Sequence, residues 1–510
     1  MSGERFKYNF YYDRTEVNKC LLCEDPVCSR ACPSDCDPGG IIRSMFFRNY
    51  LGAAGRTGDC CRGCDAPCER ACLLSGRGRS VAIRDLLTGV REGAESLPVQ
   101  KIDSVDVSSD ICGVRLENPF LLSSSVVSGS YEKCRRAFEA GWAGASFKTV
   151  CNFPQHEASP RFSSVRHHSN SFFGFKNIEQ LSDHSVEENL KVFERLRKEF
   201  PGKVIVASIM GRDEREWTLL AAKCEAAGAS VIECNFSCPN MEDGSLGATI
   251  GQSEELVERF TAAVRRGTSL PILAKLTPNI TDMAPVALAA KRGGADGISA
   301  INTISSITGV DVDTLVAEPP VHGRSIAGGY SGAAVKPIAL RFISDLSRSD
   351  GLRGMHLSGM GGVENWFDAV EFILLGAASV QVTTAVMQFG YRIIDDLKDG
   401  LERYMKCKGI ASLKDMVGAA AGSVVDSSGI ERDTVTLPVI DNSRCCGCGR
   451  CYISCRDGGH QAIEFDPETR KVRIVGKNCV GCHLCIAVCP VKAIKPANGS
   501  FMRSAVKTES

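Results

Sequence analysis

The sequence predicts an α/β protein: a closed (β/α)8 barrel flanked on each side by a cysteine-rich module. Three observations carry this expectation. Eight short runs rich in β-branched residues alternate, for the most part, with amphipathic helical stretches between residues 104 and 435, the pattern of a parallel sheet. That span is roughly 330 residues, which fits a closed barrel better than an open sheet. Of 26 cysteines, ten lie within residues 20–72 and nine within residues 445–489, leaving seven for the rest.

The bulk composition narrows the class. The chain has 510 residues, 44% hydrophobic and 24% charged, values of an ordinary globular protein and not of a disordered or fibrous one. Length alone suggests about three domains. Lys+Arg and Asp+Glu are both 60, for a formal net charge of zero, so nothing directs the protein to nucleic acid or to an anionic membrane surface. No apolar stretch approaches the ~20 residues of a membrane span. Residues 1–19 are polar and charged, unlike a signal peptide. A cytoplasmic location is expected. There, clustered cysteines read first as metal or iron–sulfur ligands, and a disulfide framework is disfavoured.

Taken in order, residues 1–97 form the first cysteine-rich module, with helical stretches at 40–51 and 80–90 and a linker near 95–98. Residues 98–435 form the barrel. Its strands are expected at 120–124, 145–149, 204–209, 231–235, 272–276, 297–301, 355–358 and 379–382. Helical patterns at 131–140, 214–227, 254–266, 283–293 and 364–375 follow most of them. Residues 436–510 form the second cysteine-rich module and end in a polar tail from 498.

The C-terminal cysteines give the most specific motif. Cys445, Cys448, Cys451 and Cys455 follow C-x2-C-x2-C-x3-C, and Cys479, Cys482, Cys485 and Cys489 repeat it with Pro490 behind. Two such runs describe a two-cluster ferredoxin-like domain in which each fourth cysteine ligates the other cluster. One [4Fe–4S] cluster then takes Cys445, Cys448, Cys451 and Cys489, and the other takes Cys479, Cys482, Cys485 and Cys455. Zinc usually takes separated C-x2-C pairs, a poorer match.

The N-terminal cysteines are less regular. Cys20, Cys23, Cys28 and Cys32 are followed by Cys60, Cys61, Cys64, Cys68 and Cys72. This resembles the N-terminal iron–sulfur module shared by dihydropyrimidine dehydrogenase and the small subunit of glutamate synthase. The resemblance implies one cluster on Cys20, Cys23, Cys28 and Cys72 and a second on Cys32, Cys64 and Cys68. The fourth ligand of the second, Gln or Glu in that family, falls near Leu87, which cannot ligate. Cys36, Cys60 or Cys61 could substitute. One cluster plus zinc, or a degenerate second site, is the alternative.

Within the barrel, Glu233-Cys-Asn-Phe-Ser-Cys-Pro-Asn240 sits at the carboxyl end of the fourth expected strand, the end where barrel enzymes carry their chemistry. The segment is similar to the active-site segment of dihydroorotate and dihydropyrimidine dehydrogenases. Asn118-Pro-Phe, Phe147-Lys-Thr149, Asn177-Ile-Glu179, Ala274-Lys-Leu-Thr-Pro-Asn279, Gly294-Ala-Asp-Gly297, Asn302-Thr303, Tyr330-Ser-Gly332, Gly361-Gly362 and Gln381-Val-Thr-Thr384 accompany it in order. Together they resemble the FMN- and iron–sulfur-bearing chain of the dihydropyrimidine dehydrogenase family.

The resemblance implies a role for each residue. Gly332, Gly361, Gly362, Thr383 and Thr384 would hold the FMN phosphate, since glycine lets backbone N–H groups approach closely. Lys275 would stabilise the reduced, anionic flavin, and Ser124, Lys148 and Thr149 would line its ring. For Lys148 and Lys275 the plainer reading is a structural ion pair. Cys238 would be the general acid/base, exchanging the C5 proton of the pyrimidine while hydride moves at C6. Asn177, Asn235, Asn302 and Thr303 offer the donors and acceptors a planar imide requires. Ser237 would add one more, and Glu179 would accept from a ring N–H.

The implied reaction is interconversion of uracil or thymine with the 5,6-dihydro forms. The mammalian enzyme carries FAD and NADPH domains between its N-terminal clusters and its barrel, whereas here Leu97 leads almost directly into the barrel. Gly76-Arg-Gly78 lacks the third glycine of a dinucleotide fingerprint. Electrons are therefore expected to reach the chain through clusters from a partner, either an FAD/NAD(P)H reductase subunit or a ferredoxin, in a homo- or hetero-oligomer. Two other readings compete: a dihydroorotate dehydrogenase-type flavoenzyme, and an electron-transfer subunit with a non-catalytic barrel.

Overall fold

The computed structural model describes residues 14–58, 61, 63–166, 171–241 and 246–502. The chain forms two compact units, Met1–Ser423 and Val424–Ser510.

All eight expected barrel strands are present in the first unit. In chain order they are Phe120–Leu122, Gly144–Ser146, Val204–Met210, Val231–Asn235, Ile272–Lys275, Gly297–Ala300, His356–Met360 and Ser379–Val382. Each pairs in parallel with its neighbours, and the eighth returns to the first, Val380 lying beside Phe120. Closure buries every strand on both faces, which is why the runs read as continuous apolar stretches rather than alternating ones. Five of the helices between them begin at side-chain caps. Ser130 caps Tyr131–Ala140, Asp213 caps Glu214–Ala226, and Ser253 caps Glu254–Gly267. Ser185 with Glu188, and Asn365 with Asp368, form reciprocal capping boxes for Val186–Glu199 and Trp366–Leu374.

An antiparallel hairpin, Ser109–Ile111 with Val114–Leu116, packs Ile111 and Leu116 against Leu121, Val204, Val231 and Leu273. It seals the amino-terminal end of the barrel. At the opposite end lies a four-stranded antiparallel sheet that the periodicity did not show. Its strands are Phe162–Arg166, Phe172–Asn177, Ile304–Ser306 and Gly328–Ser331, contributed by excursions after the second and sixth barrel strands.

The N-terminal residues have a small core of their own, including Ile41, Ile42, Met45, Val81 and Leu87. The single helix expected at 40–51 is two helices, Pro38–Phe46 and Tyr50–Arg56. Arg48 takes the left-handed conformation, φ 60°, and Asn49 starts the second helix by accepting from the Gly52 N–H. The break lets Ser44 and Asn49 both bond Asp396, which is 3% exposed on the barrel helix Ile393–Lys408. Trp366 Nε1 donates to the Arg48 carbonyl at 3.0 Å, so this segment is packed onto the barrel.

The second unit is a twofold repeat of short elements. The pairs Pro438–Ile440 with Ile494–Pro496 and Ile463–Phe465 with Val472–Ile474 frame the helices Arg450–Gly458 and Leu484–Val488.

Candidate flavin and iron–sulfur sites

The carboxyl ends of the barrel strands open into a cleft with about 1120 Å³ of space, part of it open solvent, where a barrel enzyme carries its site. Its wall contains Ser124, Lys148, Thr149, Asn177, Glu179, Asn235, Cys238, Lys275, Asn302, Thr303, Gly332, Gly361, Gly362, Thr383 and Thr384. These arrive from the ends of seven barrel strands, all but the third, and from the sheet over the mouth. Of the barrel residues singled out from the sequence, only Ser237 stays off the wall. It is fully buried, donates to Asn235 Oδ1 at 2.9 Å and accepts from Asn302 Nδ2 at 2.8 Å. Here it cross-links the wall: the chain turns inward after Asn235, and the hydroxyl holds two cleft-lining amides in fixed orientations.

One end of the cleft is backbone. Gly332, Gly361 and Gly362 have φ of 89°, 120° and 81°, the left-handed region open to glycine. A Cβ on Gly362 would lie 2.8 Å from the Gly332 carbonyl. The helix Lys336–Arg348 begins beside them, so closely approachable backbone and a helix amino terminus meet there, a combination suited to a phosphate. Thr384 and Ser331 share a hydrogen bond of 2.9 Å, and Thr383 and Ser125 one of 3.3 Å.

Deeper in, Lys275 reaches Ser123 Oγ at 3.5 Å and is 2% exposed. Gln381 gives its amide N–H to Ser358 at 3.0 Å, while its Oε1 is buried with no partner among the described residues, as is Asn240 Oδ1. Both residues line the cleft. Orphaned buried acceptors are costly, and here they suit ring N–H groups of a bound molecule. A glycine cradle at one end and an ammonium with unfilled acceptors at the other fit FMN.

The substrate side is polar but ordered. Asn235 Nδ2 donates to Thr149 Oγ1 at 2.9 Å, and Thr149 shares 2.9 Å and 3.2 Å contacts with Ser208 and Ser124. Asn177 is fixed by the Gly329 carbonyl at 3.3 Å. Cys238 is 8% exposed, and burial pushes its thiol up to about 11, against opposing effects of the Asn240 backbone N–H and of Lys275. At neutral pH it holds its proton.

Two residues went unnoticed in the sequence. Glu157 and Arg161 sit in the irregular segment before the cover sheet and carry no motif. Lys148 Nζ is 3.3 Å from Glu157 and 3.9 Å from Glu179, and Arg161 is 3.4 Å from Glu179. Burial raises the Glu179 carboxyl, with Lys148 opposing. Lys275 pairs with the fully buried Glu233 at 3.8 Å. Both lysines on the cleft wall therefore have carboxylate partners, and both also face the cleft.

In the C-terminal unit Cys445, Cys448, Cys451 and Cys489 line one void of about 320 Å³. Cys455, Cys479, Cys482 and Cys485 line another of about 350 Å³. The structure thus brings together the same two sets into which the spacing divides these cysteines, with Cys446 also beside the first void. Each exchanged sulfur accepts a backbone N–H at 3.3 Å, Cys455 from Ala462 and Cys489 from Ala493. Gly447, Gly449 and Gly481, all at positive φ, let the loops curl round the voids. Both voids suit a cubane held by four thiolates.

In the N-terminal module the Cys20 thiol is raised to about 11, first by burial and then by its neighbours Cys28, Cys23 and Cys72. These are the four residues expected to share a cluster. Cys68 is raised to about 11 by burial and, further down, by Glu69 and Cys32. Leu87 is 1% exposed within the apolar core. Cys36 and Cys61 pack at the edge of that core, with Cys64 in the turn that follows, its N–H on the Cys61 carbonyl at 3.4 Å. Cys60 lies outside the described residues.

Comparison with known proteins agrees with this geometry. A family model described as dihydroorotate dehydrogenase matches residues 106–405, and one described as a 4Fe-4S dicluster domain matches residues 438–495. The chain is 51% identical over 398 residues to the NAD-dependent dihydropyrimidine dehydrogenase subunit PreA of Escherichia coli (strain K12), covering 78% of this chain and 97% of that protein. It is 37% identical over 341 residues to the chloroplastic dihydropyrimidine dehydrogenase (NADP(+)) of Arabidopsis thaliana, 64% of this chain and 78% of that one. It is also 37% identical over 309 residues to the dihydroorotate dehydrogenase B (NAD(+)) catalytic subunit of Pyrococcus horikoshii, 60% of this chain and 95% of that one. Among solved structures, Eimeria tenella dihydroorotate dehydrogenase in complex with ferulenol superposes with a TM-score of 0.52 at 19% identity, over 66% of this chain and 93% of that one; the likeness is one of fold.

Proposed function

The chain belongs to the dihydroorotate dehydrogenase family, and from that premise we propose that it is the catalytic subunit of a dihydropyrimidine dehydrogenase, interconverting uracil or thymine with the 5,6-dihydro forms. It is an FMN- and [4Fe–4S]-dependent oxidoreductase acting on a CH–CH bond. One observation carries the choice of substrate. Both lysines on the cleft wall, Lys148 and Lys275, are already paired with carboxylates, and Glu179 adds a carboxylate of its own. A neutral imide is accommodated by such a wall, whereas orotate would bring an anion with no free lysine to meet it.

FMN, when bound, supplies hydride exchange at C6 of the pyrimidine. The protein supplies the rest. Asn177, Asn235, Asn302 and Thr303 hold the ring by its imide edge, and Ser237 locks two of those amides. Glu179 accepts from a ring N–H. The Cys238 thiol gives its proton to C5 during reduction, and its thiolate takes that proton back during oxidation. The four-stranded sheet over the mouth excludes water. Lys275 offsets negative charge that develops on reduction.

The eight C-terminal ligand cysteines hold two [4Fe–4S] clusters. Cys20, Cys23, Cys28 and Cys72 hold another, and Cys32, Cys64 and Cys68 supply ligands to a fourth. Electrons enter and leave through these clusters from a partner protein, an FAD-containing NAD(P)H reductase subunit or a ferredoxin. No helix among the described residues is long and apolar enough to cross a membrane, in keeping with a cytoplasmic enzyme.

The direct test is an anaerobic titration of the oxidised holoprotein with uracil, thymine and orotate, followed through the flavin spectrum. Saturable perturbation by uracil or thymine at concentrations where orotate gives none supports the reading. Tighter perturbation by orotate would overturn it.

A further inference from the structure

We infer that Glu233 is a positioning residue that sets the reduction potential of the bound flavin by acting as a counter-ion behind Lys275. The inference rests on the FMN reading of the cleft and adds a residue to it.

Glu233 and Asn235 lie two apart on the fourth barrel strand, so both point into the barrel, one layer apart. Asn235 sits beside Lys275 of the fifth strand and lines the cleft. Glu233 lies one layer deeper, is fully buried and does not reach the cleft wall. Its carboxylate accepts from Ser146 Oγ at 3.0 Å and from Ser299 Oγ at 3.0 Å, and stands 3.8 Å from the Lys275 ammonium. The ammonium is turned toward Ser123 and the cleft, and its nearest carboxylate is on the far side.

A carboxylate in the interior of a barrel is expensive to bury. Packing alone would be served by an apolar side chain, as it is one layer below by Leu121, Val204, Val231 and Leu273. What the carboxylate adds is charge. Two-electron, one-proton reduction of bound FMN adds one negative charge at the cleft. Lys275 favours that charge, and Glu233 opposes it from behind, in surroundings where screening is weak. The net field of the pair, not of Lys275 alone, then fixes how readily the flavin is reduced. It keeps the flavin from being trapped in the reduced state, as an enzyme that must pass electrons to clusters requires. Ser146 and Ser299 hold the carboxylate at its distance and share its charge.

The test is the midpoint potential of FMN in the full-length holoprotein, measured by anaerobic reduction against reference dyes, for the wild type and Glu233→Gln. The glutamine keeps the volume and hydrogen-bonds both serines but removes the charge. The expected result is a shift toward the reduced form of at least about tenfold, or about 30 mV upward for a two-electron couple, with FMN content unchanged. An unchanged or lower midpoint with FMN still bound would overturn the inference. If the Glu233→Gln chain does not fold, Ser299→Ala replaces it. Removing that hydroxyl leaves more of the carboxylate charge facing Lys275, so the midpoint must fall, and an unmoved or raised midpoint overturns the inference. Absence of FMN from the wild-type holoprotein would instead overturn the flavin reading itself.

Discussion

Arg392 donates to the main-chain carbonyl of Cys23 at 3.2 Å, and also to that of Leu22 at 2.5 Å, while pairing with Glu24 at 3.3 Å. Ten residues, 383–392, therefore lead from the cleft threonines Thr383 and Thr384 to the first cysteine loop. Phe389, between them, packs against Phe46 and Phe47 at centroid distances of 5.4 and 5.3 Å. The first cysteine loop is tied to the barrel at the end that carries Thr383 and Thr384.

Arg392→Ala should loosen that attachment. Hydrogen bonds from a charged donor are worth about 1.5–3 kcal/mol. The expected outcome is faster hydrogen exchange in residues 20–24 with the barrel strands unchanged, read by mass spectrometry. Unaltered exchange in that loop would show that Arg392 holds nothing in place.

Cys238→Ala should keep FMN and lose turnover. Acid–base catalysis contributes typically ~10²–10⁴-fold, and rapid-mixing measurement of flavin reduction by dihydrouracil reads the loss directly. A rate near that of the wild type would remove Cys238 from the mechanism.

The same thiol sets the pH dependence. Burial raises it to about 11, so the thiolate fraction grows about tenfold per pH unit below that value. Oxidation of dihydrouracil needs the thiolate, and its rate constant should climb with near-unit slope from about pH 7 to about pH 10. Reduction of uracil needs the thiol, which stays protonated over the same range, so that rate should be flat. Opposite profiles for the two directions would contradict the assignment.

Cys448→Ser and Cys482→Ser each remove a thiolate from a different void of the C-terminal unit. Each should lower iron and sulfide by about one cubane and weaken the corresponding electron paramagnetic resonance signal of the reduced protein, leaving FMN in place. Full iron content in both variants would refute the assignment of these cysteines as ligands.

The barrel was legible because its eight strands are buried on both faces and five of its helices carry their own caps, so local signals and tertiary structure agree. The cleft was legible for a similar reason: Asn235, Cys238 and Lys275 sit at strand ends, where position and chemistry coincide. The bonds of Ser237 to Asn235 and Asn302 were not legible because motif membership does not show which way a side chain turns after the strand stops. Glu157 and Arg161 were invisible because they lie in an irregular segment and act through space on Lys148 and Glu179. The cover sheet escaped notice because its strands are short and partly exposed, and its two halves meet across 152 residues, as Asn177 does with Gly329. The break at Arg48 was hidden because helical propensity runs through it, and only the pull of Asp396 on Ser44 and Asn49 explains it.

The central claim is that this cleft oxidises and reduces a neutral pyrimidine, with electrons delivered through clusters. The most direct measurement is anaerobic rapid mixing of the pure holoprotein with dihydrouracil, dihydroorotate, NADH and NADPH in turn, following flavin absorbance. The account predicts fast bleaching by dihydrouracil and none at a useful rate by the other three while no partner protein is present. Bleaching by dihydroorotate in preference to dihydrouracil, or fast bleaching by either nicotinamide, would contradict it.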